Sequence, residues 1–390
     1  MSTGCCIKGY IDEYRKNSSG AAMKIMFVNN NLRGLLHFRM DVMRHLQAQG
    51  YEVVAVVPSS ERDKQDVHGP RILYVPMERK SVNPFRDMML FFSLVKVFRQ
   101  EKPQYAFLYT IKPNIYGTLA AKLCGVRSSM MMAGLGFAFA NNSLQSRIAR
   151  SMYRIALKFS EHLFLLNEGD VKTVKDLGMC RSDKITLLKS GEGVNLQRFE
   201  FHDNRSERVR FLFVGRLLRE KGVLDFVEAA KEVKRKYPEI MFQIAGLPDT
   251  DSYGNLTSEE MAMVTASDVV DYLGRVDMVE KLKESGQVMV IPSYYSEGLN
   301  RSLMEGCATG KPIITTNHPG CREMVIDGKN GFLVPVRQPH ALAEAMLRYM
   351  SLSDDERQQM SQESRRLAES RFDVRSVFNA YDEIFRHVAD

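Results

Sequence analysis

The chain has 390 residues, 44% apolar and 26% charged. This length suits about two globular domains with cores of their own and excludes a disordered, collagen-like or disulfide-dense chain. The net charge of +7 is uneven: residues 1–200 hold 29 Lys/Arg against 17 Asp/Glu, and residues 201–390 hold 25 against 30.

Residues 1–22 are polar and lack the apolar core of a signal peptide, so they read as an extension ahead of a first domain at 23–197. No apolar run reaches the roughly 18 residues that span a bilayer, and a cytoplasmic location is expected. Six cysteines form no CxxC and have no His at metal spacing, so reduced thiols and no metal are expected. Between Arg86 and Ser160 eleven basic residues meet only two acids. That half is expected to face something anionic.

Strand and helix then alternate. Apolar runs at 23–28, 52–58, 72–75, 105–109, 128–133 and 162–166 predict strands, and helices are predicted at 37–50, 84–102, 113–124 and 143–160. Strands without polar alternation are buried on both faces, which predicts a parallel sheet covered by helices. The polar stretch 198–207 predicts a linker. Alternation restarts with strands at 210–215, 240–246, 269–274, 287–293, 312–316 and 331–335, followed by a helical tail. The second domain is set at 208–370, and 371–390 is a C-terminal helix expected to pack back on the first domain. The fold class is α/β, with two Rossmann-like doubly wound domains expected to bind ligands at the carboxyl ends of their strands.

Three segments of the second half follow strand ends. VGRLLREKG (214–222) puts Arg216 and Lys221 in a strand-to-helix loop, where two cations suit a diphosphate. PSYYSEGLNRSLMEGCATGKP (292–312) puts Glu297 and Glu305 eight positions apart around a helix start. The amides of Gly298 to Leu303 are expected to face an anion, and a carboxylate at Glu305 suits a ribose diol. NHPGCREMVIDGKNGFLVP (317–335) is expected to form a wall of the same cleft.

Together these segments resemble the family 4 glycosyltransferases, with their GT-B fold and E-x7-E motif, over nearly the whole chain from Met23. HFRM (37–40), SVNPF (81–85), KPNIYGTLAAK (112–122) and GLG (134–136) are similar to bacterial enzymes that extend lipid-linked saccharides with N-acetylated hexosamines. The resemblance implies two domains facing across a cleft, the first binding acceptor and the second a nucleotide-sugar. It implies retaining transfer from a UDP-sugar, with no metal or other cofactor. Arg216 and Lys221 match the pair that neutralises the diphosphate, and Glu305 the residue that holds the ribose. Glu297 matches the carboxylate beside the donor sugar, with Gly298, Leu299, Asn300, Ser302 and Leu303 on the donor side. The backbone at Arg275 and Val276 matches the segment that reads the base.

Many relatives carry a Gly-Gly pair after the first strand, whereas NNNLRGLLHF (29–38) offers only Gly34 for approach to the phosphates. Many also place a His after the strand at 105–109, where this chain has YTIKPN. Lys112 and His37 are therefore the candidates on the acceptor side. Asp249-Thr250-Asp251 spells a metal signature of another fold and reads here as a solvated loop. Arg147, Arg150, Arg154 and Lys158 recur at spacings of three and four beside a stripe of Ile148, Met152, Ile155 and Phe159. They give either a packed helix with a solvated face or a dock for anionic lipid at the inner face of the cytoplasmic membrane. Two rivals remain: a nucleotide-sugar 2-epimerase of the same shape, which would need no acceptor, and a nucleic-acid binder. The aromatic-interleaved basic runs of the latter are missing.

Overall fold

The structure is a computed structural model that describes residues 22–62, 69–78, 83–136, 139, 143–206, 208–249 and 254–386. The chain forms two compact units. One runs to Glu192 and resumes at Arg375, and the other is Gly193–Val374.

In the first unit, β1 (Lys24–Val28), β2 (Glu52–Pro58), β3 (Arg71–Val75), β4 (Tyr105–Tyr109), β5 (Arg127–Met132), β6 (Leu163–Leu165) and β7 (Ile185–Leu187) make one sheet. All pairs are parallel, in the order β3-β2-β1-β4-β5-β6-β7. Among the described residues the connecting α-helices are α1 (Leu32–Ala48), α2 (Pro84–Glu101), α3 (Thr118–Leu123), α4 (Leu144–Leu157) and α5 (Glu168–Asp176). Along β1, Ile25 and Phe27 pack on one side with α1, while Met26 and Val28 pack on the other with α2 and α3. This two-sided burial is why the strands read as unbroken apolar runs. The C-terminal helix Val374–Arg386 lies on the α1 side: Tyr381 stacks on Phe27 and its hydroxyl meets Tyr109 at 2.8 Å.

The second unit holds β8 (Arg210–Val214), β9 (Met241–Ala245), β10 (Asp271–Gly274), β11 (Gln287–Ile291), β12 (Ile313–Thr316) and β13 (Gly331–Val334), again parallel, in the order β10-β9-β8-β11-β12-β13. Its helices are α6 (Val223–Lys236), α7 (Ser258–Thr265), α8 (Met278–Lys281), α9 (Arg301–Ala308), α10 (Pro339–Met350) and α11 (Asp354–Leu367). Capping boxes at Thr257/Glu260 and Ser353/Glu356 start α7 and α11. Strand order reverses between β1 and β4 in one unit and between β8 and β11 in the other. Such a reversal opens a crevice at the carboxyl ends of the strands.

Several sequence expectations are corrected. Helix α1 begins at Leu32 rather than 37, because Asn31 caps it by accepting the Gly34 amide at 2.5 Å. Helix α5 and strand β7 were not anticipated. The stretch 198–207 is no free linker: Phe199 and Asn204 are buried, and Asn204 donates to the Gln287 carbonyl at 2.9 Å and accepts the Gln287 amide at 3.1 Å. The second unit therefore spans Gly193–Val374 rather than 208–370, and the last helix starts at Val374 rather than 371. Among the described residues, no helix is long and apolar enough to cross a membrane. Residues 1–21, Ser81, Val82, Thr250 and Asp251 lie outside the described residues.

Candidate active site

The crevice between β8 and β11 gathers the charged residues. After β8 the chain passes Arg216 and makes a short turn, Arg219–Lys221, before Gly222 opens α6. Gly222 has φ +74°, and a Cβ there would lie 2.2 Å from the Pro292 carbonyl oxygen. Only glycine lets this loop pass so close to the end of β11. The buried Lys221 ammonium thereby reaches Glu297 Oε2 at 2.7 Å.

Glu297 is held from several sides. Its Oε1 accepts from Asn300 Nδ2 at 3.0 Å, from Ser293 Oγ at 3.3 Å and from Cys321 Sγ at 3.9 Å. Burial, with the Glu297 charge added, pushes the Cys321 thiol up to about 12, so it stays a neutral donor. A carboxylate fixed this way needs no reorganisation when charge develops nearby.

Arg216 pairs with Asp249 beyond β9, Nη1 to Oδ2 at 2.6 Å. Burial works against the guanidinium charge, but Asp249 and Tyr295 more than offset it and raise its pKa. The Tyr295 ring lies 5.4 Å from Arg216 Cζ and 5.2 Å from Lys221 Nζ. One aromatic ring thus steadies both cations. Asp249 is no solvated loop residue, since its side chain is largely covered.

Glu305 projects from α9 and is 1% exposed; its Oε1 accepts Arg301 Nε at 2.9 Å, and Arg301 also donates to the Gly193 carbonyl. Asn300 caps α9 by accepting the Leu303 amide at 3.1 Å, and its own amide donates to the Gly320 carbonyl at 2.7 Å. Ser302 is half-buried on the first turn, and Gly298 is buried between Glu297 and the cap. Leu299 and Leu303 belong to the hydrophobic core rather than to an open pocket wall. Beyond β10, Arg275 is exposed and Val276 packs on the core from the same edge of the sheet.

The first-unit candidates are placed differently. The Gly34 amide is taken by the Asn31 cap. His37 sits inside α1, exposed and edge-on to Phe38 at 4.7 Å, rather than at the helix start. Lys112 donates to Asp87 Oδ1 at 2.7 Å, and Tyr116 donates to Asp87 Oδ2 at 2.9 Å. On α4, Arg147, Arg150 and Arg154, with Lys158 just past its end, lie on or beside the outer face, but so do Ile148, Ile155 and Phe159; the core takes Ser146, Tyr153, Ala156 and Leu157, with Met152 partly buried against it. The packed-helix reading with a solvated face holds for the helix, while Ile148, Ile155 and Phe159 of the stripe stay outside the core.

Sequence reasoning missed Tyr295, Asp249 and Arg301. Arg301 had a signal, because its spacing of four from Glu305 puts both on one helix face. The other two depend on loop contacts between distant segments.

Two family models match the chain: "Glycosyl transferase 4-like domain" over residues 34–191 and "Glycosyl transferases group 1" over 196–367. The chain is a family 4-like glycosyltransferase. This glycosyltransferase is 28% identical over 342 residues to the N,N'-diacetylbacillosaminyl-diphospho-undecaprenol alpha-1,3-N-acetylgalactosaminyltransferase of Campylobacter jejuni, covering 83% of this chain and 88% of that protein. It is 26% identical over 296 residues to the UDP-Gal:alpha-D-GlcNAc-diphosphoundecaprenol alpha-1,3-galactosyltransferase of Escherichia coli, covering 71% and 74%. Its fold matches a glycosyltransferase from Rickettsia africae with TM-score 0.74 and 20% identity, over 94% of this chain and 98% of that one. It also matches Anabaena Alr3699/HepE in complex with UDP with TM-score 0.75 and 15% identity, over 94% and 100%. The fold is GT-B.

Proposed function

We propose that this glycosyltransferase moves an N-acetylated hexosamine from a UDP-sugar to a lipid-linked saccharide, with retention of anomeric configuration. The observation that carries the reading is the pair of cations, Arg216 and Lys221, steadied on Tyr295 at the β8/β11 crevice beside the fixed carboxylate of Glu297. As the sugar–phosphate bond breaks, positive charge grows on the sugar and negative charge on the diphosphate. Fixed cations stabilise the second, and a fixed carboxylate stabilises the first. The acceptor hydroxyl attacks from the face the diphosphate leaves and passes its proton to the departing phosphate oxygen.

In this reading Glu305 accepts the ribose hydroxyls, Asn300 and the Gly298 backbone line the sugar, and the backbone at Arg275 and Val276 meets the base. Arg216 and Lys221 meet the diphosphate charge without a metal or organic cofactor. The names of the Campylobacter and Escherichia relatives support a lipid diphosphate acceptor. Arg147, Arg150, Arg154 and Lys158 bring the protein to anionic lipid at the inner face of the cytoplasmic membrane, at ~1 kcal/mol per basic residue near the surface.

The test is the anomeric configuration of the new linkage, read by NMR, with kinetics of Arg216→Ala alongside. A linkage of the donor's configuration and a kcat reduced ~100-fold or more are expected. An inverted linkage, or unaltered kinetics, overturns the reading.

A further inference from the structure

Helix α2 turns a row of large apolar side chains to solvent. Phe85, Met88, Met89 and Phe92 recur at i, i+3, i+4 and i+7 and are 84%, 55%, 57% and 59% exposed. The opposite face of the helix, with Leu90, Leu94 and Phe98, is already buried against the sheet. The helix thus has two apolar faces and the fold covers one. Four such side chains together on an exposed face are unusual unless something else covers them.

The surroundings indicate what that is. Lys96 and Arg99 continue the same outward face one to two turns on, and both are exposed. The acids of this helix are engaged elsewhere: Asp87 accepts from Lys112 and Tyr116, and Glu101 from Lys24 and Arg71. Helix α4 lies in the same layer, on the side of the sheet opposite α1 and the C-terminal helix. It too turns apolar residues outward, Ile148 and Ile155, beside exposed Arg147 and Arg154. Apolar side chains followed by cations that make no ion pair among the described residues match a bilayer interface with anionic headgroups, where the apolar part enters the acyl boundary and the cations reach the phosphates.

We propose that α2 is an insertion anchor: Phe85, Met88, Met89 and Phe92 enter an anionic bilayer while Lys96 and Arg99 lie at its phosphates. This goes beyond electrostatic attraction by α4, because attraction is screened over a Debye length of about 10 Å at 0.1 M salt and insertion is not. The anchor rests on the lipid-linked-acceptor reading only for its purpose.

The chain has no tryptophan, so Met88→Trp is a reporter without background. Met263→Trp on α7, at a half-exposed position of the second unit, is the control. Each is mixed with vesicles of phosphatidylglycerol and phosphatidylcholine, plain or brominated along the acyl chain. Emission of Met88→Trp is expected to shift to the blue and be quenched by the bromines, and that of Met263→Trp to stay unchanged. The combined variant Phe85→Ser, Met88→Ser, Met89→Ser, Phe92→Ser alters only exposed side chains. It is expected to keep its circular dichroism and lose ~100-fold or more of its vesicle partition at high salt. Neutralising Arg147, Arg150, Arg154 and Lys158 is expected to remove only low-salt binding. An unshifted Met88→Trp on vesicle-bound protein overturns the proposal, as does unchanged partition of the combined variant. A shift that grows with protein concentration without lipid also overturns it, since the stripe then meets a second copy. Insertion is read without donor or acceptor: insertion without transfer to a lipid-linked acceptor counts against the acceptor reading alone, and such transfer without insertion against the anchor alone.

Discussion

Arg301 and Glu305 face each other one turn apart on α9, 2.9 Å between Nε and Oε1, and are 8% and 1% exposed. Glu305→Gln keeps the volume but leaves a buried guanidinium against a neutral amide. Breaking a buried pair from one side costs about 3–5 kcal/mol. In a unit of this size each kcal/mol lowers Tm by about 2–4 °C, so Tm falls by roughly 6–20 °C. Any loss of donor affinity then mixes instability with missing bonds to the ribose. The double variant Arg301→Met, Glu305→Gln separates the two. It removes both charges and regains most of the stability, short of ~1 kcal/mol for the Gly193 carbonyl that loses its donor. The ribose still lacks its carboxylate. Hydrogen bonds to a charged group contribute about 1.5–3 kcal/mol, which predicts UDP binding roughly 10- to 150-fold weaker than wild type. Calorimetric melting and isothermal titration with UDP read the two quantities separately. Recovery of both Tm and UDP affinity in the double variant would refute the ribose assignment and leave Glu305 a structural residue.

Other outcomes follow from neighbouring contacts. Asp249→Asn removes the carboxylate that competes for Arg216 while Tyr295 still supports the guanidinium, so UDP affinity rises about threefold to tenfold in titration. Gly222→Ala forces a Cβ onto the Pro292 carbonyl at positive φ. It lowers Tm and, by shifting the loop that carries Glu297, reduces kcat more than KM. Lys311 is buried against the Asn204 side chain and the Glu284 carbonyl, and burial lowers its pKa to about 8. The unfolded chain then binds more protons than the folded one between about 8 and the usual Lys value of about 10.4, so stability rises with pH across that window. Denaturant titrations of wild type and Lys311→Met measure this: the difference between them changes above pH 8 only if Lys311 titrates there.

The sequence made the sheet strands legible because their runs are apolar on both faces, and the structure holds a strand at each predicted run. It did not show where the second unit begins, at Gly193 rather than beyond residue 207. Residues 198–207 are polar and aperiodic, yet Phe199 packs in the hydrophobic core and Asn204 is buried against the start of β11, bonding to Gln287. Periodicity located the stripes of α4 but could not say which faced inward. The sheet takes small residues with Tyr153 and Leu157, and the bulkier Ile148 and Ile155 point outward. In the candidate site, the charged residues were legible from their positions after strand ends. Their partners were not. Arg216 and Asp249 stand 33 positions apart, and Lys221 and Glu297 stand 76 apart. Such pairs exist only once the parallel sheet aligns the ends of its strands.

The most direct measurement incubates the protein with a panel of nucleotide-sugars and reads nucleotide release with and without a membrane lipid extract. Release from a UDP-N-acetylhexosamine that requires the extract, together with a glycosylated lipid product, is expected. Conversion of a nucleotide-sugar without any acceptor, or no release from any donor in the presence of extract, would contradict the proposed function.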